Sequence, residues 1–194
     1  MTIVTLVQHA EKGPIPGDPG LTPLGREQAR RAAAALASLG VPAAVYSSPL
    51  KRALQTASAF AKQFDLQVQR DDRLRERINW DGDGSLESFL ADWVRTTKDR
   101  DFVPASGDSS RQAAQRMLEA LRDVANRHHD ERVVVVTHGG VTVDVLRTLL
   151  GDEATASTVP DLLTAGVPCC GLTTLTRLSE IWFVNRIASV EHLG

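Results

Sequence analysis

The chain has 194 residues, with 22 basic against 24 acidic side chains and a formal net charge of −2. Hydrophobic residues make up 42% and charged residues 24%, an ordinary mixture for a globular protein that can bury a core without staples. No basic excess points to nucleic acid, and no apolar run is long enough to span a membrane.

Residues 1–194 are expected to form one domain. The opening Met1-Thr-Ile-Val-Thr-Leu-Val7 lacks the basic start and cleavage site of a signal peptide and reads as a strand from Thr2 to Val7. Cys169 and Cys170 are adjacent and cannot staple distant segments, so a cytoplasmic location is expected by absence of alternatives. A Gly/Pro-rich loop covers Gly13 to Gly20. Thr22-Pro23 then supplies a capping hydroxyl and a first-turn proline, predicting a helix to about Leu39 that Gly40 closes. Gly25 weakens that first turn, and close backbone packing is the expected reason for it.

Ala43 to Tyr46 reads as a short strand. Ser48-Pro49 repeats the cap-plus-proline signal and predicts a helix to about Phe64. A short extended piece follows at Leu66 to Gln69, then a polar irregular stretch from Arg70 to Gly84. A helix is expected from Leu86 to about Lys98, and an amphipathic one from Ser110 to His128 with Ala114, Met117, Leu121 and Val124 on one face. Arg132-Val-Val-Val-Val-Thr137 is apolar without alternation, the pattern of a parallel strand buried on both faces. Gly139-Gly140 leads into a helix through Leu150. Gly171 to Arg177 and Ile181 to Ile187 read as a closing hairpin around Ser179. The alternation of strands and helices predicts a three-layer α/β/α sandwich with a mostly parallel central sheet.

In open α/β sheets, ligands sit beyond the carboxyl ends of the strands. Two strands here end in histidine, delivering His9 and His138 to the same sheet edge if both run parallel. A third loop, Ser47-Ser-Pro-Leu-Lys-Arg52, places Arg52 in a first helical turn beside free N–H groups, a place that suits an anion.

These blocks resemble the histidine phosphatase superfamily, also called phosphoglycerate mutase-like. Its first signature is similar to Gln8-His9-Ala10, and its first-helix pattern to Thr22-Pro-Leu-Gly25-Arg-Glu-Gln28. Tyr46-Ser-Ser-Pro-Leu-Lys-Arg52-Ala-Leu-Gln-Thr56 resembles the second block. Leu74-Arg75-Glu76, Gly107-Asp108-Ser109 and Val136-Thr137-His138-Gly139-Gly140 resemble later ones. The resemblance runs from about Val4 to Leu178.

It implies a phosphomonoester hydrolase in which His9 attacks phosphorus and Arg52 clamps the phosphoryl oxygens. His138 adds a donor, and a charge once phosphate is bound. Glu76 protonates the leaving oxygen and then activates water. Gln8, Lys12 and Gly139 complete the expected phosphate-binding set. No metal and no cofactor are expected, because a cationic pocket can do the work of a metal in phosphoryl transfer. The partner is a small phosphate ester, and residues 77–107 are expected to cap the substrate. Arg75 and Arg77 would favour an anionic group, and Trp80 a ring.

One position departs from the family pattern. Arginine normally precedes the nucleophile, and here Gln8 stands instead. Lys12, three residues after His9, is expected to compensate in part, although an ammonium is a point charge rather than a fork. The same departure leaves two further readings open: a non-catalytic or weakly active phosphate-ligand binder, and a phosphomutase. For other residues the plain reading is preferred. His128 and His129 end a helix and suit its dipole. His192 is expected to be solvated, Ser48 to be a helix cap, and the cysteines to be small buried hydrophobes. Glu11, Asp81 and Asp83 are the carboxylates that compete with Glu76.

Overall fold

The computed structural model describes residues 1–82 and 84–194, so Asp83 lies outside the described residues. Among the described residues six strands form one sheet: β1 (Thr2–Gln8), β2 (Ala44–Ser47), β3 (Val68–Arg70), β4 (Arg132–Thr137), β5 (Leu172–Leu178) and β6 (Ile181–Ser189). Their order is β3-β2-β4-β1-β5-β6. The first four run parallel, and β5 and β6 join antiparallel as the expected hairpin. Ser179 sits at its turn with φ 54°.

Helices α1 (Pro23–Ala37) and α2 (Lys51–Phe64) cover one face. Helices α4 (Ser110–Arg127) and α5 (Gly139–Leu150) cover the other, with α3 (Leu86–Lys98) set between β3 and α4 in the chain. The period of two in the strands explains the layering. Val4, Leu6, Ala44, Tyr46, Val133 and Val135 pack with Met117, Leu121 and Val145. Val7, Val45, Val134 and Val136 face the opposite way, onto Ala29, Ala33, Ala57 and Phe60. A strand in the middle of such a sandwich must be apolar on both sides, which is why β4 reads as an unbroken valine run.

The sequence expectations shift in three places. Ser48 does not cap α2, which begins at Lys51 with Leu50 in the cap position and no side-chain bond from it. Asp18 does that work from the Gly/Pro-rich loop, accepting from the Lys51 backbone N–H at 2.8 Å. Two short helices, α6 (Asp152–Thr158) and α7 (Pro160–Thr164), occupy a segment for which no element was expected. Their Thr-rich sequences carry weak helix propensity; Asp152 of α6 pairs with Arg100 and Arg147, and Leu162 of α7 packs with Val143, Leu146 and Val167. His192 is half-buried rather than solvated, and burial lowers its pKa.

Gly25 meets its expected constraint. A Cβ there would lie 2.0 Å from the Glu11 carbonyl oxygen. The same contact seats the loop after β1: the Gly25 N–H donates to Thr22 Oγ1 at 2.9 Å, and the Thr22 hydroxyl donates to Glu11 Oε1 at 2.6 Å. Gly25→Ala should therefore destabilise the fold by about 1–3 kcal/mol through overpacking, read as a lower urea midpoint at unchanged slope.

Candidate active site

Strand register sets the site. Gln8 pairs with Thr137, and the His9 N–H donates to the Thr137 carbonyl at 3.0 Å, so His9 and His138 leave the sheet side by side. Their ring centroids stand 5.3 Å apart. Ser47 pairs with Val136 on the other side of β4, which brings the loop before α2 to the same edge.

His9 is 8% exposed, and its Nδ1 lies 2.8 Å from the Ala10 carbonyl oxygen. A carbonyl only accepts, so Nδ1 carries the hydrogen and Nε2 keeps its lone pair. Burial pushes the imidazole down to about 4; the Ala10 bond opposes this, and Arg52 and Lys12 add to it. The ring is therefore neutral at pH 7. Its order is propagated inward, because the Ala10 N–H donates to the Thr56 hydroxyl, which donates to the Arg52 carbonyl at 2.8 Å.

Arg52 is 4% exposed. Its Nη2 donates to Asn79 Oδ1 at 3.1 Å, and Nη1 stands 3.8 Å from Asp18. Its Nε and Nη1 make no hydrogen bond among the described residues. Buried donors left unmatched are costly, and they mark a place where an external acceptor completes the set. His138 is fully buried. Its Nε2 lies 2.7 Å from Ser48 Oγ, and its Nδ1 has no partner among the described residues. Burial first, then Arg52 and His9, lowers its pKa well below the ordinary value, so the free protein holds it neutral.

Glu76 is 9% exposed and accepts three backbone N–H bonds: from Arg77 and Val141 at Oε1, and from Gly140 at Oε2. It thereby caps α5, whose own cap residue supplies no side-chain bond. Gly140 makes room for this, since a Cβ there would lie 2.6 Å from Glu76 Oε1.

His9, Lys12, Arg52 and Glu76 line one hollow of about 390 Å³. Of the described carboxylates weighed in the sequence, Glu76 lines it, whereas Glu11 and Asp81 do not. Gln8 lies beside His9 rather than on the wall, with Nε2 3.4 Å from His9 Nε2 and Oε1 unpartnered among the described residues. Gly139 instead borders a smaller neighbouring hollow of about 120 Å³ behind Trp93. Lys12 has its pKa lowered by burial and then by Arg52, which places the two cations close together. Asp18 and Asn79 escaped the sequence reading. Each sits in an irregular loop with no pattern to mark it, and only the folded loops bring them to Arg52.

A model described as the histidine phosphatase superfamily (branch 1) matches residues 8–187. The chain belongs to that superfamily. This histidine phosphatase is 33% identical over 211 residues to a metal-independent phosphoserine phosphatase of Arabidopsis thaliana, a match covering all of this chain and 84% of that protein. It is 35% identical over 146 residues to a glucosyl-3-phosphoglycerate phosphatase of Mycolicibacterium vanbaalenii, covering 69% of this chain and 64% of the relative. In structure it is similar to the phosphoserine phosphatase of Entamoeba histolytica solved with 3-phosphoglyceric acid, with a TM-score of 0.77 and 25% identity over the whole of both chains. The sheet flanked by helices is thus the phosphoglycerate mutase-like fold. No helix among the described residues is long and apolar enough to cross a membrane.

The low pKa of His9 carries a test. Followed directly by the NMR shifts of its ring in the free protein, His9 should titrate with a midpoint near pH 4 rather than near 6.5. A midpoint near 6.5 would show that burial does not hold the ring neutral.

Proposed function

We propose that this histidine phosphatase hydrolyses small phosphate monoesters without a metal, through a phosphohistidine on His9. The observation that carries this reading is the Nδ1–Ala10 bond at 2.8 Å, which leaves the lone pair on Nε2, met by a long 3.4 Å bond from the Gln8 amide, in a hollow shared with Arg52. Nε2 attacks phosphorus while the bond to the ester oxygen breaks. Arg52 Nε and Nη1 receive the phosphoryl oxygens; His138 is fully buried and does not line the hollow, and its role is to reach the same anion through the unpartnered Nδ1 of a ring 5.3 Å from that of His9. Glu76 Oε2, with a single backbone donor, keeps a second lone pair for a proton. Protonated there, it protonates the departing alkoxide; ionised, it takes a proton from the water that then cleaves the N–P bond.

Lys12 supplies the positive charge that Gln8 does not. Residues 77–107 act as the capping segment of a single domain that runs from 1 to 194. The similarity to a phosphoserine phosphatase and to a glucosyl-3-phosphoglycerate phosphatase supports the reaction class.

Trapping tests it. Mixing enzyme with a phosphate ester in chelator and quenching in alkali, where an N–P bond survives, should leave a phosphorylated species by intact mass that maps to His9 and is absent from His9→Ala. Turnover lost in chelator, or turnover with no His9 adduct, would count against the mechanism. An enzyme that binds phosphate without turnover would favour the binder reading that Gln8 keeps open.

A further inference from the structure

The hollow is unlike on its two sides. Buried His9, Arg52 and Glu76 line its floor, and the exposed Lys12 lines it beside them. Its roof is a run of rings from the 77–107 segment: Trp80 stacks on Phe89 with centroids 6.1 Å apart and planes at 26°, and Phe89 meets Trp93 at 6.1 Å. Facing them is Pro14-Ile15-Pro16 from the loop after β1. Ile15 and Leu86 line the hollow yet remain 64% and 48% exposed, which puts apolar surface at its mouth.

Lys12 and Arg52 are the lysine and arginine among the described residues that line the hollow. Arg75 turns to Asp108 at 3.0 Å. The Arg77 guanidinium lies 4.2 Å over the Trp93 ring and faces the smaller hollow, not this one. It is held by Asp144 at 2.8 Å and Thr97 at 2.7 Å. With Lys12 and Arg52 both engaged by the phosphoryl group, as proposed above, a carboxylate on the leaving group would find rings and aliphatic carbons, and would lose its hydration without a further cation among the described lining residues to replace it. A ring would bury apolar surface against Phe89 and Trp93 instead.

We propose that the site selects phosphate monoesters whose leaving alcohol is uncharged, apolar and ring-bearing, and disfavours carboxylate-bearing esters such as phosphoserine. This rests on the phosphatase reading and deepens it. The anionic preference that Arg75 and Arg77 suggested in the sequence gives way, because both guanidiniums are turned elsewhere. The ring that Trp80 suggested is what the roof accommodates.

The test compares kcat/KM for phenethyl phosphate, ethyl phosphate, phosphoserine and 3-phosphoglycerate. All are esters of primary alcohols, so intrinsic leaving ability differs little. Phenethyl phosphate should exceed phosphoserine by roughly ten- to a hundredfold, the discrimination an apolar pocket can deliver. Phe89→Ala should shrink the phenethyl-to-ethyl ratio by roughly tenfold. Ile15→Lys, at an exposed position that folding does not depend on, should raise phosphoserine turnover relative to phenethyl phosphate. A wild-type preference for phosphoserine or 3-phosphoglycerate, or a phenethyl-to-ethyl ratio that Phe89→Ala leaves unchanged, overturns this specificity and leaves the phosphatase reading standing. Failure to hydrolyse any of the four overturns both.

Discussion

Replacing His9 with alanine should lower kcat by about ten-thousandfold or more, with stability held near the wild-type value. Removal of a nucleophile costs a large part of the whole rate enhancement, because the remaining groups have nothing to position against phosphorus. The fold should tolerate the change. His9 is a buried polar ring whose one close bond is to the neighbouring Ala10 carbonyl, and the alanine methyl leaves space that opens into the hollow. The measurement is steady-state turnover of a phosphate ester together with thermal unfolding. A variant that keeps a tenth of wild-type turnover would assign the attack to another group. A variant that loses turnover only because it unfolds would say nothing about chemistry, which is why the two are measured together.

Arg52 gives the second large effect, and its signature is a divergence between activity and stability. Arg52→Ala should cut kcat/KM by about a hundred- to a thousandfold, equivalent to about 3–4 kcal/mol of transition-state stabilisation. Arg52→Lys should recover only part of it, because an ammonium cannot present two parallel donors. Stability should hold or rise. The guanidinium is buried, its pKa is lowered chiefly by desolvation, and two of its nitrogens lack hydrogen-bond partners among the described residues. A cation kept under those conditions is a cost in the free protein that a phosphate bound as proposed would offset. A fall in melting temperature matching the fall in activity would mean that Asn79 and Asp18 make Arg52 a structural anchor instead.

Much of the site was legible before any coordinates. His9 and His138 follow apolar runs that could only be strands, and Arg52 follows a third. Parallel pairing then leaves little freedom over where they meet. Thr22-Pro23 announced α1, and the α1 cap was as expected, with the Gly25 N–H donating to Thr22 Oγ1. Ser48-Pro49 carried the same local signal and misled. The Ser48 hydroxyl lies 2.7 Å from His138, and a carboxylate from residue 18 caps α2 instead. Capping propensity is local, whereas the partner a hydroxyl ends up beside is set by chain segments ninety residues away. Glu76 was nominated for chemistry, yet its three backbone bonds to α5 and the Arg77 N–H are a packing fact that no spacing discloses.

The sequence by itself determined the layers, the direction of the strands and the sheet edge at which the histidines emerge, because hydrophobic period and strand ends are properties of short windows. Tertiary structure alone decided which nitrogen of His9 carries the hydrogen and which donors of Arg52 are left open. It also decided that Arg75 and Arg77 turn away from the hollow that Phe89 and Trp93 roof. Those outcomes depend on burial and on partners distant in the chain, and such contacts exist only once the layers have closed on one another.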